Sequence, residues 1–307
     1  MQKGKVAKVD SGSGATAASP VAQLWAGHRK QILTTSSHTL LHMVLIAASL
    51  TFLAPTLWMI SSSLKASTEI FVHPIVWIPK DPQWDNYLEA FRRVDLLRFA
   101  ANTGIIVFFA VLGTVISGCM VAYSLARLRW PGRDFFFSLV MATMMLPGVV
   151  TIVPRFILFR TLGWIDTFLP LTVPYWFGTA TFSIFLMRQF FRTIPLELDE
   201  AARIDGAGNY RILFQIILPL SKPVLATVAV FSLLWRYNEF MNPLIYLNRM
   251  DLWTLALGVR FFNSRWNSMW ELVFASGTVM LVPVLILFVA AQRYFIQGIT
   301  MTGFGGR

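Results

Sequence analysis

The sequence predicts an all-α polytopic membrane protein with six transmembrane helices, and three observations support this fold class. Hydrophobic residues make up 56% of the chain. Charged residues make up 13%, which is about half the ~25% typical of soluble domains. The third observation is a set of intervals of at least 20 residues without Asp, Glu, Lys or Arg, which are 31–64, 99–126, 135–154, 167–187 and 272–292.

Each charge-free interval predicts one membrane span, because a helix needs about 20 residues to cross ~30 Å of hydrocarbon. A sixth apolar run, 223–247, contains Arg236 and Glu239 and predicts the fifth span, with polar groups near one end. The third span carries Pro147-Gly148, which interrupts helical hydrogen bonding. Two interpretations of that break stay open, an ordinary proline kink and a segment that lines a pore.

The two ends of the chain predict tails outside the membrane domain. Residues 1–36 contain the run SGSGATAASP and predict a flexible N-terminal tail. No apolar core follows the first lysines within 30 residues, so a cleavable signal peptide is not expected. The membrane domain is expected over 37–300, with a C-terminal tail over 301–307.

Basic residues predict the orientation of the chain. With both termini in the cytoplasm, the inside segments hold 15 Lys and Arg residues and the outside segments hold 11. We therefore expect a multi-pass protein of the bacterial cytoplasmic (inner) membrane with both termini cytoplasmic. The net charge of +11 is spread over the ends of apolar runs, so nucleic acid binding is not expected. The single cysteine and four scattered histidines predict neither a disulfide nor a metal site.

Residues 195–223, here called the docking segment, are unusual because charged residues crowd into an otherwise apolar chain. Five of them fall within 13 residues, which are Asp199, Glu200, Arg203, Asp205 and Arg211. Acids in a first helical turn after Pro195, followed by Gly206, predict two short helices joined at a glycine bend. The segment is interpreted as an exposed docking element; an amphipathic loop lying on the bilayer is the alternative.

The docking segment carries the spacing E-A-A-x3-G-x9-I-x-L-P without a gap. The matching residues are Glu200, Ala201, Ala202, Gly206, Ile216, Leu218 and Pro219. This pattern resembles the EAA signature of permease subunits of binding-protein-dependent ABC importers. Further matches from about residue 40 to 300, such as Asn86-Tyr87 and Pro131-Gly132-Arg133, are similar to the carbohydrate group and its maltose-type second permease.

The resemblance implies a type I ABC importer permease fold, a coupling loop over 193–222 and a division of labour with other chains. The residues it assigns to coupling with the ATPase are Glu200, Ala201, Ala202, Asp205, Gly206, Leu218 and Pro219. The chain lacks G-x4-G-K-[ST], so ATP and Mg are expected in a partner ATPase and no cofactor here. The implied partners are a homologous longer permease, a dimer of ATP-binding subunits, an extracytoplasmic solute-binding protein and the lipid bilayer.

Two further groups of residues are candidate contacts outside the docking segment. Arg236, Tyr237, Asn238 and Glu239 are expected on the substrate pathway, where Arg236 suits an anionic solute such as an oligo-uronate. An i, i+3 pair with Glu239, or snorkelling to the surface, is the alternative. The resemblance assigns an aromatic group to contact with the solute-binding protein, and an interfacial aromatic belt is the alternative. That group is Trp253, Phe261, Phe262 and Trp266.

The expected function is a non-enzymatic translocation subunit that forms half of a pore for a carbohydrate. A permease for a non-sugar solute such as a glycerophosphodiester is the first alternative. A membrane enzyme that borrowed a docking loop is the second, but no catalytic set of side chains is recognisable at membrane depth.

Overall fold

The computed structural model describes residues 20–263 and 268–303, and its regular elements are helices. Short elements of other types join the α-helices. They are 3₁₀ turns at Ser67–Glu69, Gly148–Thr151, Val173–Phe177, Met250–Leu252 and Arg260–Phe262, and a π turn at Leu213–Ile217. The α-helices are α1 (Pro20–Ser63), α2 (Asp85–Arg93), α3 (Leu96–Arg127), α4 (Arg133–Met144), α5 (Ile152–Thr161), α6 (Leu169–Thr172), α7 (Thr181–Thr193), α8 (Glu197–Ile204), α9 (Asn209–Ile212), α10 (Leu218–Leu220), α11 (Lys222–Tyr237), α12 (Met241–Tyr246), α13 (Leu255–Val259) and α14 (Trp270–Gly303).

The predicted tails overlap the described structure in part. Residues 20–36 of the predicted N-terminal tail belong to α1, and residues 301–303 of the predicted C-terminal tail belong to α14. The remaining parts of both tails, 1–19 and 304–307, lie outside the described residues. The chain divides after Trp58 into two compact units, and the candidate sites lie in the second unit, which begins at Met59.

Four helical stretches are long and apolar enough to cross a membrane, and two bent pairs bring the count to six among the described residues. The four are Thr39–Ser63, Leu96–Arg127, Leu169–Thr193 and Trp270–Ala290. One pair, Arg133–Met144 with Gly148–Thr161, bends by 98° at Pro147. The other, Asn209–Leu220 with Lys222–Tyr237, bends by 80°. Counting each pair as one span gives the six predicted spans, with the predicted break in the third.

Helix α3 is the centre of the second unit and packs against α7, α11 and α13. Its small residues allow α7 to come close: Ala122 is fully buried, and a Cβ placed on Gly118 would lie 2.6 Å from the Met187 methyl group. Three apolar clusters cover different parts of α3. The first cluster, which contains Ala122 and Met187, joins α3 to α7, α9 and α11. The second joins α3 to α2, α13 and α14. The third joins α3 to α5, α6 and α12.

Polar contacts define the two ends of α3. At the Leu96 end, the Asn102 side chain donates to the carbonyls of Asp251 and Trp253, both at 3.0 Å. The Thr103 hydroxyl there accepts from the Leu255 N–H at 2.8 Å. At the other end, Arg127 pairs with Asp199 of α8. Residues 248–263 after α12, here called the aromatic segment, and the docking segment therefore lie at opposite ends of one helix of about 48 Å.

Candidate functional site

The docking segment is attached to the membrane domain by a buried ion pair that sequence reasoning missed. Arg127 donates to both carboxylate oxygens of Asp199, from Nε at 2.9 Å and from Nη2 at 2.8 Å. The same guanidinium donates to three carbonyls where α7 leads into the docking segment, those of Phe191, Ile194 and Pro195. All five of its N–H groups are thus used, with side-chain exposures of 1% for Arg127 and 5% for Asp199. This pair holds α8 against α3.

Opposite this attachment, α8 and the turn after it present an exposed face. Glu200, Ala201 and Asp205 are exposed there, whereas Ala202 is buried at 8%. Gly206 has a φ of 79°, a left-handed conformation that glycine adopts without strain, and the chain bends at this residue. In the second half of the segment Leu218 is half-buried and Pro219 is exposed. Of the residues expected to couple to the ATPase, Ala202 is the one that packs inward.

The exposed face also contains large apolar side chains, which the sequence pattern did not single out. Ile204 is 87% exposed, Tyr210 is 71% exposed and Phe214 is 58% exposed. These residues belong to a segment with seven charged residues that lies beyond the end of a membrane-spanning helix. An exposed apolar patch edged by charged groups is typical of a protein interface.

Two cavities of about 700 and 710 Å³ adjoin near the end of α11 that contains Trp235 and Arg236. The first, here called the polar cavity, is lined by Arg155, Glu239, Asn242 and other side chains of α5, α6 and α12. The second, here called the hydroxyl cavity, has Thr114, Thr181 and Ser232 among its lining residues. The residues that line both are Tyr175, Thr179, Trp235 and Arg236.

Arg236 both pairs with Glu239 and lines a cavity, the two alternatives that the sequence left open. Its Nη1 donates to Glu239 Oε2 at 3.3 Å and to the Tyr175 hydroxyl, and its Cζ lies 4.3 Å from the centre of the Tyr175 ring. The i, i+3 pair of the sequence analysis therefore exists, and the same residue lines both the polar cavity and the hydroxyl cavity. Arg155 donates only to the backbone carbonyls of Thr151 and Gly148 among the described residues.

The other residues expected on the substrate pathway divide between cavity and core. Asn238 and Glu239 line the polar cavity. Tyr237 does not: its ring is 8% exposed and its hydroxyl donates to the Met280 carbonyl of α14 at 2.7 Å. Successive helical residues point about 100° apart, so Tyr237 faces α14 when Arg236 faces the cavity.

The aromatic segment is more buried than expected for a contact surface. Phe262 is 2% exposed and belongs to the cluster around Phe99, and Trp253 packs against the same ring at 6.2 Å. Phe261 is 47% exposed. Trp266 lies outside the described residues. Phe261 is therefore the member of the expected group that is available to a partner in the described structure.

The carboxylate of Asp166 binds the backbone amides of Asn248 and Arg249, where the chain enters the aromatic segment. We call this contact the clasp. Asp166 Oδ1 accepts from the Asn248 N–H at 2.5 Å and from the Arg249 N–H at 3.1 Å. Partial burial acts to raise the pKa of Asp166, but these backbone hydrogen bonds, the Asn248 side chain and the Arg249 charge outweigh it, and the pKa lies below its usual range. Because the folded-state pKa is lowered, the clasp contributes stability above the ordinary pKa of about 3.9 and loses it as the pH falls through the lowered value.

Replacing Asp166 with alanine is expected to speed hydrogen exchange of the Asn248 and Arg249 amides about fivefold at pH 6, the effect of losing hydrogen bonds worth about 1 kcal/mol. The difference between wild type and variant should disappear below the lowered pKa of Asp166. The Leu257 amide, which donates to the Thr254 hydroxyl, is an internal control whose exchange should not change. Equal exchange in both proteins at pH 6 would show that the clasp does not hold this loop.

Comparison with known proteins identifies the family. A family model described as the inner membrane component of binding-protein-dependent transport systems matches residues 103–301. The chain belongs to this family. It is therefore a multi-pass membrane transport component with the ABC importer permease fold.

Individual relatives and a solved structure extend the match to most of the chain. The diacetylchitobiose uptake system permease protein of Streptomyces coelicolor is 33% identical over 254 residues, or 82% of this chain and 84% of that protein. The sn-glycerol-3-phosphate transport system permease protein of Brucella suis is 34% identical over 271 residues, or 85% and 95%. A chain of a bacterial ABC transporter involved in the import of the acidic polysaccharide alginate superposes with a TM-score of 0.72 at 26% identity, covering 87% of this chain and 98% of that chain.

Proposed function

We propose that this permease forms half of the translocation pore of an ATP-driven importer for a carbohydrate and couples it to a separate ATPase. Its other partners are a homologous longer permease and an extracytoplasmic solute-binding protein. The observation that carries the proposal is the exposed apolar and acidic face of the docking segment, with Ile204 87% exposed beside Glu200. This face suits a cleft in an ATP-binding subunit, which supplies ATP and Mg.

We infer that the docking segment lies in the cytoplasm, where ATP is available. Both termini are then cytoplasmic as well. One observation supports this orientation. The same end of α3 lies next to four arginines, Arg127, Arg129, Arg133 and Arg188, and basic residues are more frequent on the cytoplasmic side of membrane proteins.

Replacing Glu200 with lysine is expected to lower uptake by at least tenfold in proteoliposomes containing the complete importer. Reversing this charge places a cation against the ATPase cleft but leaves membrane insertion intact, because Glu200 is exposed. Stimulation of ATPase activity by the loaded binding protein should fall in parallel. Asp81→Lys is the control, since it makes the same charge change at an exposed residue before α2 and should transport normally. Normal uptake and normal ATPase stimulation by Glu200→Lys would contradict the proposal.

A glycerophosphodiester-type solute is the second candidate, and two observations favour it. A relative from Brucella suis is named for transport of sn-glycerol-3-phosphate, a monoester that shares its glycerol phosphate group with such a solute. In addition, the polar cavity holds Arg155, whose side chain has no carboxylate partner among the described residues. The solute that raises the melting temperature of the cognate binding protein decides between a carbohydrate and a glycerophosphodiester. A carbohydrate importer should give stabilisation by neutral or uronic acid oligosaccharides, whereas stabilisation only by a glycerophosphodiester would identify the second candidate.

A further inference from the structure

A basic cavity lies beside the docking segment, and the function proposed above assigns it no ligand. Its volume is about 390 Å³, and we call it the arginine cavity. It lies where α3 ends, α4 begins and α7 leads into the docking segment. The residues that line it are Leu125, Ala126, Arg127, Arg129, Arg133, Arg188, Arg192 and Leu196.

The arginine cavity carries more positive charge than its neighbours neutralise. Asp199 neutralises Arg127, whose five N–H groups are all used. Asp134 is shared, because its Oδ1 lies 3.0 Å from Arg133 Nε and 3.8 Å from Arg188 Nη2. The other two lining arginines, 129 and 192, have no carboxylate within 4 Å among residues 20–263 and 268–303. Five guanidinium groups thus face two carboxylates.

The arginine cavity contains a buried arginine, Arg188, that the surrounding protein holds in a fixed position. The residue is 5% exposed, its Nε donates to the Leu125 carbonyl at 3.2 Å and its Cζ lies 3.6 Å from the centre of the Phe137 ring. These contacts fix the guanidinium, yet within the described structure its two Nη groups make no hydrogen bond. A buried cation is costly unless an anion is close, and Asp134 at 3.8 Å is itself 74% exposed.

The surface next to the cavity indicates where an anion would come from. Helix α4 begins here, and Phe135 and Phe136 are 69% and 51% exposed beside the basic groups. In a membrane protein, exposed apolar rings are suited to acyl chains and adjacent arginines to anionic headgroups, so the two together match the boundary between these layers. Basic pockets between membrane helices on the cytoplasmic side are suited to phosphate groups of anionic lipids.

We propose that the arginine cavity binds the phosphate of an anionic phospholipid from the membrane leaflet on the side of the docking segment. Arg129 and Arg192 supply the unpaired charge and Arg188 supplies buried donors, while Phe135 and Phe136 contact the acyl chains. The inference goes beyond the proposed function and does not depend on which solute is carried.

The test compares lipid retention by the complete importer in nanodiscs of phosphatidylcholine with and without phosphatidylglycerol. The variant is Arg129→Gln/Arg192→Gln, because both residues are exposed and free of ion pairs in the described structure, so folding should be kept. Each arginine near anionic lipid is worth about fivefold in affinity, so the double variant should bind phosphatidylglycerol about 25-fold more weakly by native mass spectrometry. The matched control Arg92→Gln/Arg160→Gln removes two exposed arginines outside the cavity and should stay within twofold of wild type.

Three results would overturn the inference. Unchanged retention of phosphatidylglycerol by the double variant would remove the arginine cavity as a lipid site. Displacement of the lipid by millimolar inorganic phosphate would assign the cavity to a soluble anion. Unchanged lipid retention together with loss of the ATP-binding subunits on purification would assign it to a protein contact. Equal melting temperatures of wild type and double variant in pure phosphatidylcholine would establish that a lost preference is not caused by unfolding.

Discussion

Replacing Asp199 with alanine is expected to destabilise the protein by about 3 to 5 kcal/mol, the usual cost of removing one partner from a buried ion pair. The guanidinium of Arg127 would stay in a site that is 1% exposed, without a counter-charge. Its bonds to the carbonyls of Ile194 and Pro195 keep it from turning to solvent. Uptake by the assembled importer should fall as well, because Asp199 joins α8 to the membrane domain.

The free energy of unfolding in mixed detergent micelles measures this effect. Glu89→Ala is the control, because Glu89 lies 2.6 Å from Arg93 in an ion pair whose side chains are about two-fifths exposed. Exposed pairs of this kind contribute about 0.5 kcal/mol or less. Equal destabilisation by the two variants would show that burial does not set the strength of the Arg127–Asp199 pair.

Replacing Gly258 with alanine is expected to destabilise the protein by about 2 to 3 kcal/mol, at the upper end of the usual cost of overpacking. A Cβ at this residue would lie 2.3 Å from Cδ2 of Phe99. The Phe99 ring is rigid and 1% exposed, so it cannot move aside without displacing its cluster. The gain of about 1 kcal/mol in helix propensity from alanine is too small to offset this.

Gly118→Ala is the matched control for Gly258→Ala, since its Cβ also makes a contact that is too close. Here the nearest atom is the terminal methyl group of Met187, at 2.6 Å. Methionine has three rotatable bonds and adapts to small changes, so this variant should stay within about 1 kcal/mol of wild type. If both variants unfold at the same detergent concentration as wild type, the contact between α13 and Phe99 is softer than the structure indicates.

The spans and the bend in the third helix were predictable because their causes act locally. Charged residues are excluded from hydrocarbon whatever surrounds them, and Pro147 interrupts helical bonding wherever it occurs. The Arg127–Asp199 pair was not predictable in this way. Its partners are 72 positions apart, and in the sequence Asp199 is one of several acids in a charged segment. Only the packing of α3 on α7 determines that this acid is the buried one.

The burial of individual residues within a motif could not be predicted from the sequence either. Tyr237 follows Arg236, which lines a cavity, and Phe262 follows Phe261, which is exposed, yet Tyr237 and Phe262 are both buried. A motif predicts that a segment matters, while the rotation of its helix determines which side chain is presented. The helical spacing of Arg188 and Arg192 was a usable signal for the arginine cavity. Four residues place both side chains on one face of α7, near the loop that holds Arg129 and Arg133.

The continuity of α3 has a mechanical consequence. The helix has no proline between Leu96 and Arg127. Asn102 binds the aromatic segment near one end and Arg127 binds the docking helix at the other. These two anchor points are about 37 Å apart along the axis. A rigid rod of this length that tilts by about 10° about one anchor moves the other by about 6 Å. The helix can therefore act as a lever, so that a small displacement of the docking segment reaches the opposite membrane surface without an intervening hinge.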